Sequence, residues 1–146
     1  MRVTSSAFEN QQTLLAKYTC VEKGVTPPLQ FAEIPTNAKS LALILDDPDA
    51  VGGNFVHWIV YNIPVSVSTI SENSKPAGIE GVNSGGRSGY YPPCPPAGTG
   101  VHRYTFKLYA LDTELNLSDN VDKKTLEAAM QGHILDQAEL VGLFSK

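Results

Sequence analysis

Apolar residues gather in three stretches of this chain, and each has its own rhythm. Lys39 to Asp46 (KSLALILD) is a short, nearly unbroken apolar run, which predicts a strand buried on both faces. Phe55 to Ile63 (FVHWIVYNI) is rich in β-branched and aromatic residues and stops at Pro64, which predicts a second strand. Strict alternation along it sets His57 and Trp58 on opposite faces. His102 to Leu111 (HRYTFKLYAL) alternates best. His102, Tyr104, Phe106, Leu108 and Ala110 share one face, and Arg103, Thr105, Lys107 and Tyr109 the other. Two irregular stretches separate the second strand from the third. Ser66 to Gly89 is polar and glycine-rich. Tyr90 to Gly100 (YYPPCPPAGTG) holds four prolines and two glycines, so no regular element fits it. A long rigid loop of this kind serves or caps a site. A helical period occurs once, near the C-terminus. Ser118, Asp119 and Asn120 are its N-cap candidates, and Asp122 suits its first turn. Leu126, Ala129, Met130 and His133 share a face, with Gly132 weakening the middle. Ile134 to Val141 reads as a continuation of this helix or as a second turn.

Composition agrees with a sheet-dominated fold. A chain of 146 residues suits one domain, 1–146, with one core. Twelve glycines and ten prolines favour many short strands over a helical bundle. The net charge of -4, with no basic run longer than Lys123-Lys124, argues against a nucleic-acid partner. The N-terminus has no apolar signal region, and no apolar run approaches membrane-spanning length, so no transmembrane segment is expected and the cytoplasm is the expected compartment. In that compartment Cys20 and Cys94 are expected as reduced thiols.

The chemistry-bearing residues are few. Asp46-Asp47-Pro48-Asp49 follows a buried-type strand. Pro48 holds Asp47 extended, so Asp47 and Asp49 face one region and need a compensating partner. Asp-Pro-Asp is also ordinary turn chemistry, and that reading is the stronger one from composition alone. His57 inside an apolar strand reads as a hydrogen-bonded core residue. His102 and Tyr104 share a face, and both can donate hydrogen bonds to an oxyanion. Arg103 points the other way and is expected to form a structural ion pair, with a loop aspartate among its candidate partners. His133 reads as packing or as a dipole contact in the C-terminal half of the helix, and not as a ligand. No HxH or HExxH spacing supports a metal, and no P-loop, nucleophile elbow or dinucleotide fingerprint is present, so no metal or cofactor is expected.

Together these motifs resemble the phosphatidylethanolamine-binding family, also called Raf-kinase-inhibitor-like proteins. One signature reads DDPDAVGGNFVHWIVYNIP from Asp46 to Pro64, and the other GVHRYTFKLYALD from Gly100 to Asp112. PPCPPAGTG (Pro92 to Gly100), TPPLQF (Thr26 to Phe31) and MQGHILDQAELVG (Met130 to Gly142) resemble its prokaryotic branch. The resemblance implies a mainly β protein: a β-sandwich with Greek-key connections and one or two short peripheral helices. It implies an anion pocket lined by Asp47, Asp49, His57, His102 and Tyr104, with Cys94 and Pro95 in one wall and a backbone N–H there for the anion. The expected function is binding of a small anion or a phospholipid headgroup of phosphatidylethanolamine type, without catalysis. The alternative is a protein-interaction module that inhibits a protease or kinase. A hydrolase using Cys94 ranks last. A homodimer is expected from prokaryotic relatives. Val51 stands where the family has proline after Asp-Pro-Asp-x, and Pro92 where many relatives have glycine. With its end at Lys146, the sequence is expected to lack the C-terminal segment that partly gates the site in animal relatives, which argues against carrying over their kinase regulation. Asp47 and His102 are expected on a pocket rim, where removing either side chain weakens binding more than folding.

Overall fold

The computed structural model describes residues 1–146. In chain order the strands are β1 (Arg2–Thr4), β2 (Gln12–Thr13), β3 (Leu29–Ala32), β4 (Ser40–Asp47), β5 (Phe55–Ile63), β6 (Thr69–Ile70), β7 (Ile79–Glu80), β8 (His102–Leu111) and β9 (Ile134–Phe144). One helix, α1 (Lys123–Met130), precedes β9, and a single 3-10 turn spans Ala16–Tyr18. The strands form two sheets, ordered β1-β3-β6 and β2-β9-β8-β4-β5-β7. β4 and β5 are an antiparallel pair, yet β8 joins the free side of β4 and not the side of β5, a Greek-key return.

The apolar pattern explains why β4 is central. Its eight residues are all buried. Leu41, Leu43 and Leu45 point towards the small sheet and pack with Val3, Leu29, Phe31 and Ile70. Ala42 and Ile44 point the other way, beneath Leu126 and Met130 of α1. Both faces of the large sheet are therefore covered, and a continuous apolar run is what such a strand requires. β8 keeps the expected alternation. Tyr104, Phe106, Leu108 and Ala110 enter the core between the sheets, while Tyr109 lies under the helix.

Three local readings change. Ser118, Asp119 and Asn120 do not cap the helix; Asp122 does, accepting a hydrogen bond from the Thr125 N–H at 2.8 Å. Gly132 does not sit mid-helix. It adopts φ +83° just beyond the helix end and turns the chain back, where a residue with a side chain is strained. Ile134 to Val141 is neither helix nor turn but most of β9, paired along the length of β8 from His102↔Phe144 to Leu111↔Ile134. Ladder pairing beside a long formed strand outweighs the local helical pattern. The polar stretch Ser66 to Gly89 also contributes two short strands, β6 and β7.

The cysteines differ most from expectation. Cys20 and Cys94 form a disulfide across 74 residues, so neither is a free thiol. The bond ties the proline-rich loop to the segment after the 3-10 turn. Two hydrogen bonds reinforce it: Cys20 N–H to Pro93 O at 3.0 Å, and Tyr90 OH to Tyr18 O at 2.8 Å.

Candidate functional site

The end of β4 and the starts of β5 and β8 meet at one edge of the inter-sheet core, because β4 runs antiparallel to both neighbours. Asp47 continues the Leu41, Leu43, Leu45 face into this corner. His57 arrives by a different route. In the β4–β5 pairing Leu45 opposes Trp58 and Asp46 opposes Val56, which leaves His57 as the extra residue of a β-bulge. A bulge re-aims a side chain. Here it cancels the alternation that would set His57 opposite Trp58, and the imidazole packs 5.3 Å from the Tyr104 ring. Residues 84–91 then run along the outer edge of β5. Ser84 exchanges hydrogen bonds with Val56, and the Tyr91 N–H donates to His57 O at 2.8 Å.

These elements enclose a cavity of about 180 Å³. Asp47, His57, His102 and Tyr104 line it, with Phe55 and Tyr91 as aromatic walls and Cys94, Pro95 and Pro96 on the loop side. Ala50 and Val51 close the β4–β5 side. Cys94 carries the only N–H between Pro92 and Pro96, and it donates to no protein acceptor. Its Sγ is bonded to Cys20, so no thiol nucleophile stands here. Asp49 does not line the cavity. Its carboxylate takes a two-pronged contact from Arg103, with Nε at 2.8 Å and Nη2 at 2.8 Å, and also accepts from the Arg103 N–H at 3.0 Å. The guanidinium holds the Asp49 carboxyl down at about 2. Arg103 thus takes a loop aspartate as partner, and β8 alternation puts the pair on the side away from His102.

The hydrogen bonds around His102 fix a proton count. Thr99 Oγ1 lies 2.7 Å from Pro96 O and 2.8 Å from His102 Nε2. A carbonyl only accepts, so the single hydroxyl proton goes to Pro96 O, and His102 Nε2 must donate. On the other side of the ring, Nδ1 lies 2.7 Å from Asp47 Oδ2. One more proton occupies that contact. Whichever atom holds it, the Asp47–His102 pair is neutral overall. The second carboxylate oxygen, Oδ1, accepts from the Asp49 N–H at 2.8 Å. Both side chains are almost fully buried. They therefore form the buried inner wall of the cavity and not its rim.

Tyr104 and His57 complete the polar lining. Burial, aided by the Asp47 charge, pushes the Tyr104 phenol well above its ordinary range, so it stays an O–H donor. His57 Nδ1 lies 2.7 Å from Tyr91 O, which assigns the ring proton to Nδ1. Burial pushes the His57 pKa down and favours the neutral ring. Sequence reasoning missed Thr99, Tyr91 and Phe55. Thr99 had a faint signal, as a hydroxyl residue three positions before His102. Tyr91 and Phe55 had none, because a bulge and an edge-covering loop put them there.

A buried carboxylate–imidazole pair beside a small aromatic cavity, at the open corner of a Greek-key sandwich, is the arrangement that the comparisons with known proteins place in a family. The family model described as phosphatidylethanolamine-binding protein matches residues 4–145, and the chain belongs to that family. A UPF0098 protein of Pyrococcus horikoshii is 48% identical over 97% of this chain and 75% of its own length. The structure of CT736 from Chlamydia trachomatis, described as a homologue of the family, superposes with a TM-score of 0.94 at 43% identity, covering 99% of this chain and 97% of the other. Escherichia coli YbcL, described as a member of the mammalian family, gives 0.92 at 27% identity, covering 99% and 98%. No helix of this chain is long and apolar enough to cross a membrane.

Proposed function

We propose that the cavity binds a small anion of the phosphate or carboxylate class, presented free or as a phospholipid headgroup of phosphatidylethanolamine type, and performs no chemical step on it. The observation that carries this reading is the neutral Asp47–His102 pair. A buried acid in the pocket would repel an anion, but Asp47 is offset by the proton it shares with His102, and the exposed Asp49 outside the cavity is committed to Arg103. The Tyr104 hydroxyl and the Cys94 N–H are donors for ligand oxygens. The aromatic walls and prolines exclude water around them. Titration with phosphorylethanolamine, followed by the imidazole NMR signals of His57 and His102, tests this. Saturable shifts of both are expected by millimolar ligand, and signals that stay still at that concentration would count against the site. The cytoplasm is part of the same proposal, and its test lies in the redox state of the cysteine pair.

A further inference from the structure

The cavity offers its ligand one group whose hydrogen-bonding sense is opposite to what an anion needs. His57 Nδ1 is committed to Tyr91 O at 2.7 Å. Nε2 has no hydrogen-bonding partner in the protein, and it is not among the buried polar atoms sealed from solvent without one. It therefore opens to the cavity that His57 lines. In the neutral ring that nitrogen is a lone pair, and a lone pair repels an unprotonated phosphate or sulfate oxygen.

We propose that an anion is held in this pocket only together with one proton, seated between a ligand oxygen and His57 Nε2. The inference rests on the anion-site reading and adds the ligand's protonation state to it. The balance is simple: neutral pocket plus anion plus one proton gives the complex. The proton comes from the ligand's own acidic hydroxyl where it has one, and otherwise from solvent.

The groups facing His57 explain why the proton waits for the anion. From β5 the neighbour is the Phe55 ring at 4.8 Å, and from the loop the Tyr91 ring at 5.9 Å, both uncharged. From β8 it is the Tyr104 ring at 5.3 Å, held as a neutral phenol, with His102 stacked beyond it. From β4 it is Asp47, whose charge His102 already offsets. Asp46 lies on the other face of the sheet with Lys107 and Lys123. No unpaired carboxylate is left to stabilise an imidazolium in the free pocket. The ligand brings the missing negative charge.

Sulfate separates this from simple charge attraction, because it carries no proton between about pH 6 and 8. Its affinity should fall about tenfold per pH unit across that range, as linkage to one bound proton requires. Binding heats compared in buffers of different ionisation enthalpy should report about one proton taken up per sulfate. Phosphorylethanolamine, whose second pKa is about 6, should show the same slope above that value. The 15N signal of His57 Nε2 should move from lone-pair-like to N–H-like at saturation. His57→Gln offers an amide N–H without needing a proton, so it should bind sulfate with a flat pH profile. If that variant fails to fold, the nitrogen signal and the buffer heats of the unaltered protein still decide. Sulfate binding with no proton uptake, or an Nε2 that stays unprotonated in the complex, overturns the proposal. So does ethanolamine alone binding without proton exchange, since Nε2 would then accept from an ammonium. If neither sulfate nor phosphorylethanolamine binds at any pH, the anion-site reading falls first and takes this inference with it.

Discussion

At the scale of single residues, the site is a set of hydrogen-bond directions as much as a set of side chains. Asp47 shows the consequence. The sequence suggests a rim position, where its loss would touch binding alone. The structure buries it against His102, with Oδ1 on the Asp49 N–H as well. Removing one partner of a buried pair strands the other. Asp47→Ala is therefore expected to cost about 3 kcal/mol in urea unfolding at neutral pH, in addition to weakening ligand binding. A cost below about 0.5 kcal/mol would mean that the pair is solvated and weakly held. Strand alternation sets His102 and Tyr104 on one face, and only the family resemblance brings Asp47 to them. Sequence could not reveal which nitrogen of each histidine is already occupied. That depends on Thr99, Pro96 and Tyr91 carbonyls and hydroxyls, whose positions come from loop geometry and not from any periodic signal.

At the scale of elements, the same strand end serves two faces. Asp47 belongs to the site, and its neighbour Asp46 points beneath α1. There Oδ2 meets Lys123 Nζ at 2.7 Å and Lys107 Nζ at 3.4 Å, while Oδ1 has no partner. Lys123 is the first residue of α1, so this contact fastens the helix start to the strand that carries Asp47. Replacing Lys123 by Met leaves a buried carboxylate with one distant cation. A loss of about 2–3 kcal/mol is expected in urea unfolding. Adding Asp46→Asn should recover part of it, because the second change removes the stranded charge. Additive losses in that double-mutant cycle would show that the two side chains do not interact. Asp46 reads in sequence only as the last residue of the buried strand; alternation sets it on the face opposite Asp47, and nothing in the sequence points to Lys123. The elements that periodicity located well are those buried on two faces. β5 and β8 match the expected spans, and β4 is displaced by one residue. The Ile134 to Val141 part of β9 does not read as a strand, only as more helix or a second turn, because the first half of β9 is exposed and carries little apolar alternation.

At the scale of the whole molecule, the Cys20–Cys94 disulfide joins fold, site and compartment. Sequence could not supply it, since 74 residues separate the partners and only the finished fold brings them together. The expectation of free thiols came from the compartment rule and not from the residues. A cross-link closing a loop of that length stabilises by about 4 kcal/mol on the chain-entropy account. For a domain of this size, about 1 kcal/mol corresponds to about 2–4 °C in Tm, so reduction should lower Tm by about 10 °C. Thermal melts with and without a strong reductant measure this, and coincident melts would mean that the loop is held by its hydrogen bonds alone. The same bond pins Cys94, Pro95 and Pro96 in the cavity wall, so the reduced protein should also bind phosphorylethanolamine more weakly, since a loosened loop must be ordered on binding. Compartment then becomes measurable. Reducing cytoplasm keeps such pairs open in mesophiles, whereas hyperthermophile cytoplasm and oxidising compartments keep them closed. Alkylation of acid-quenched cells reads which state the protein holds where it works. A pair found fully reduced there would make the looser pocket the working one.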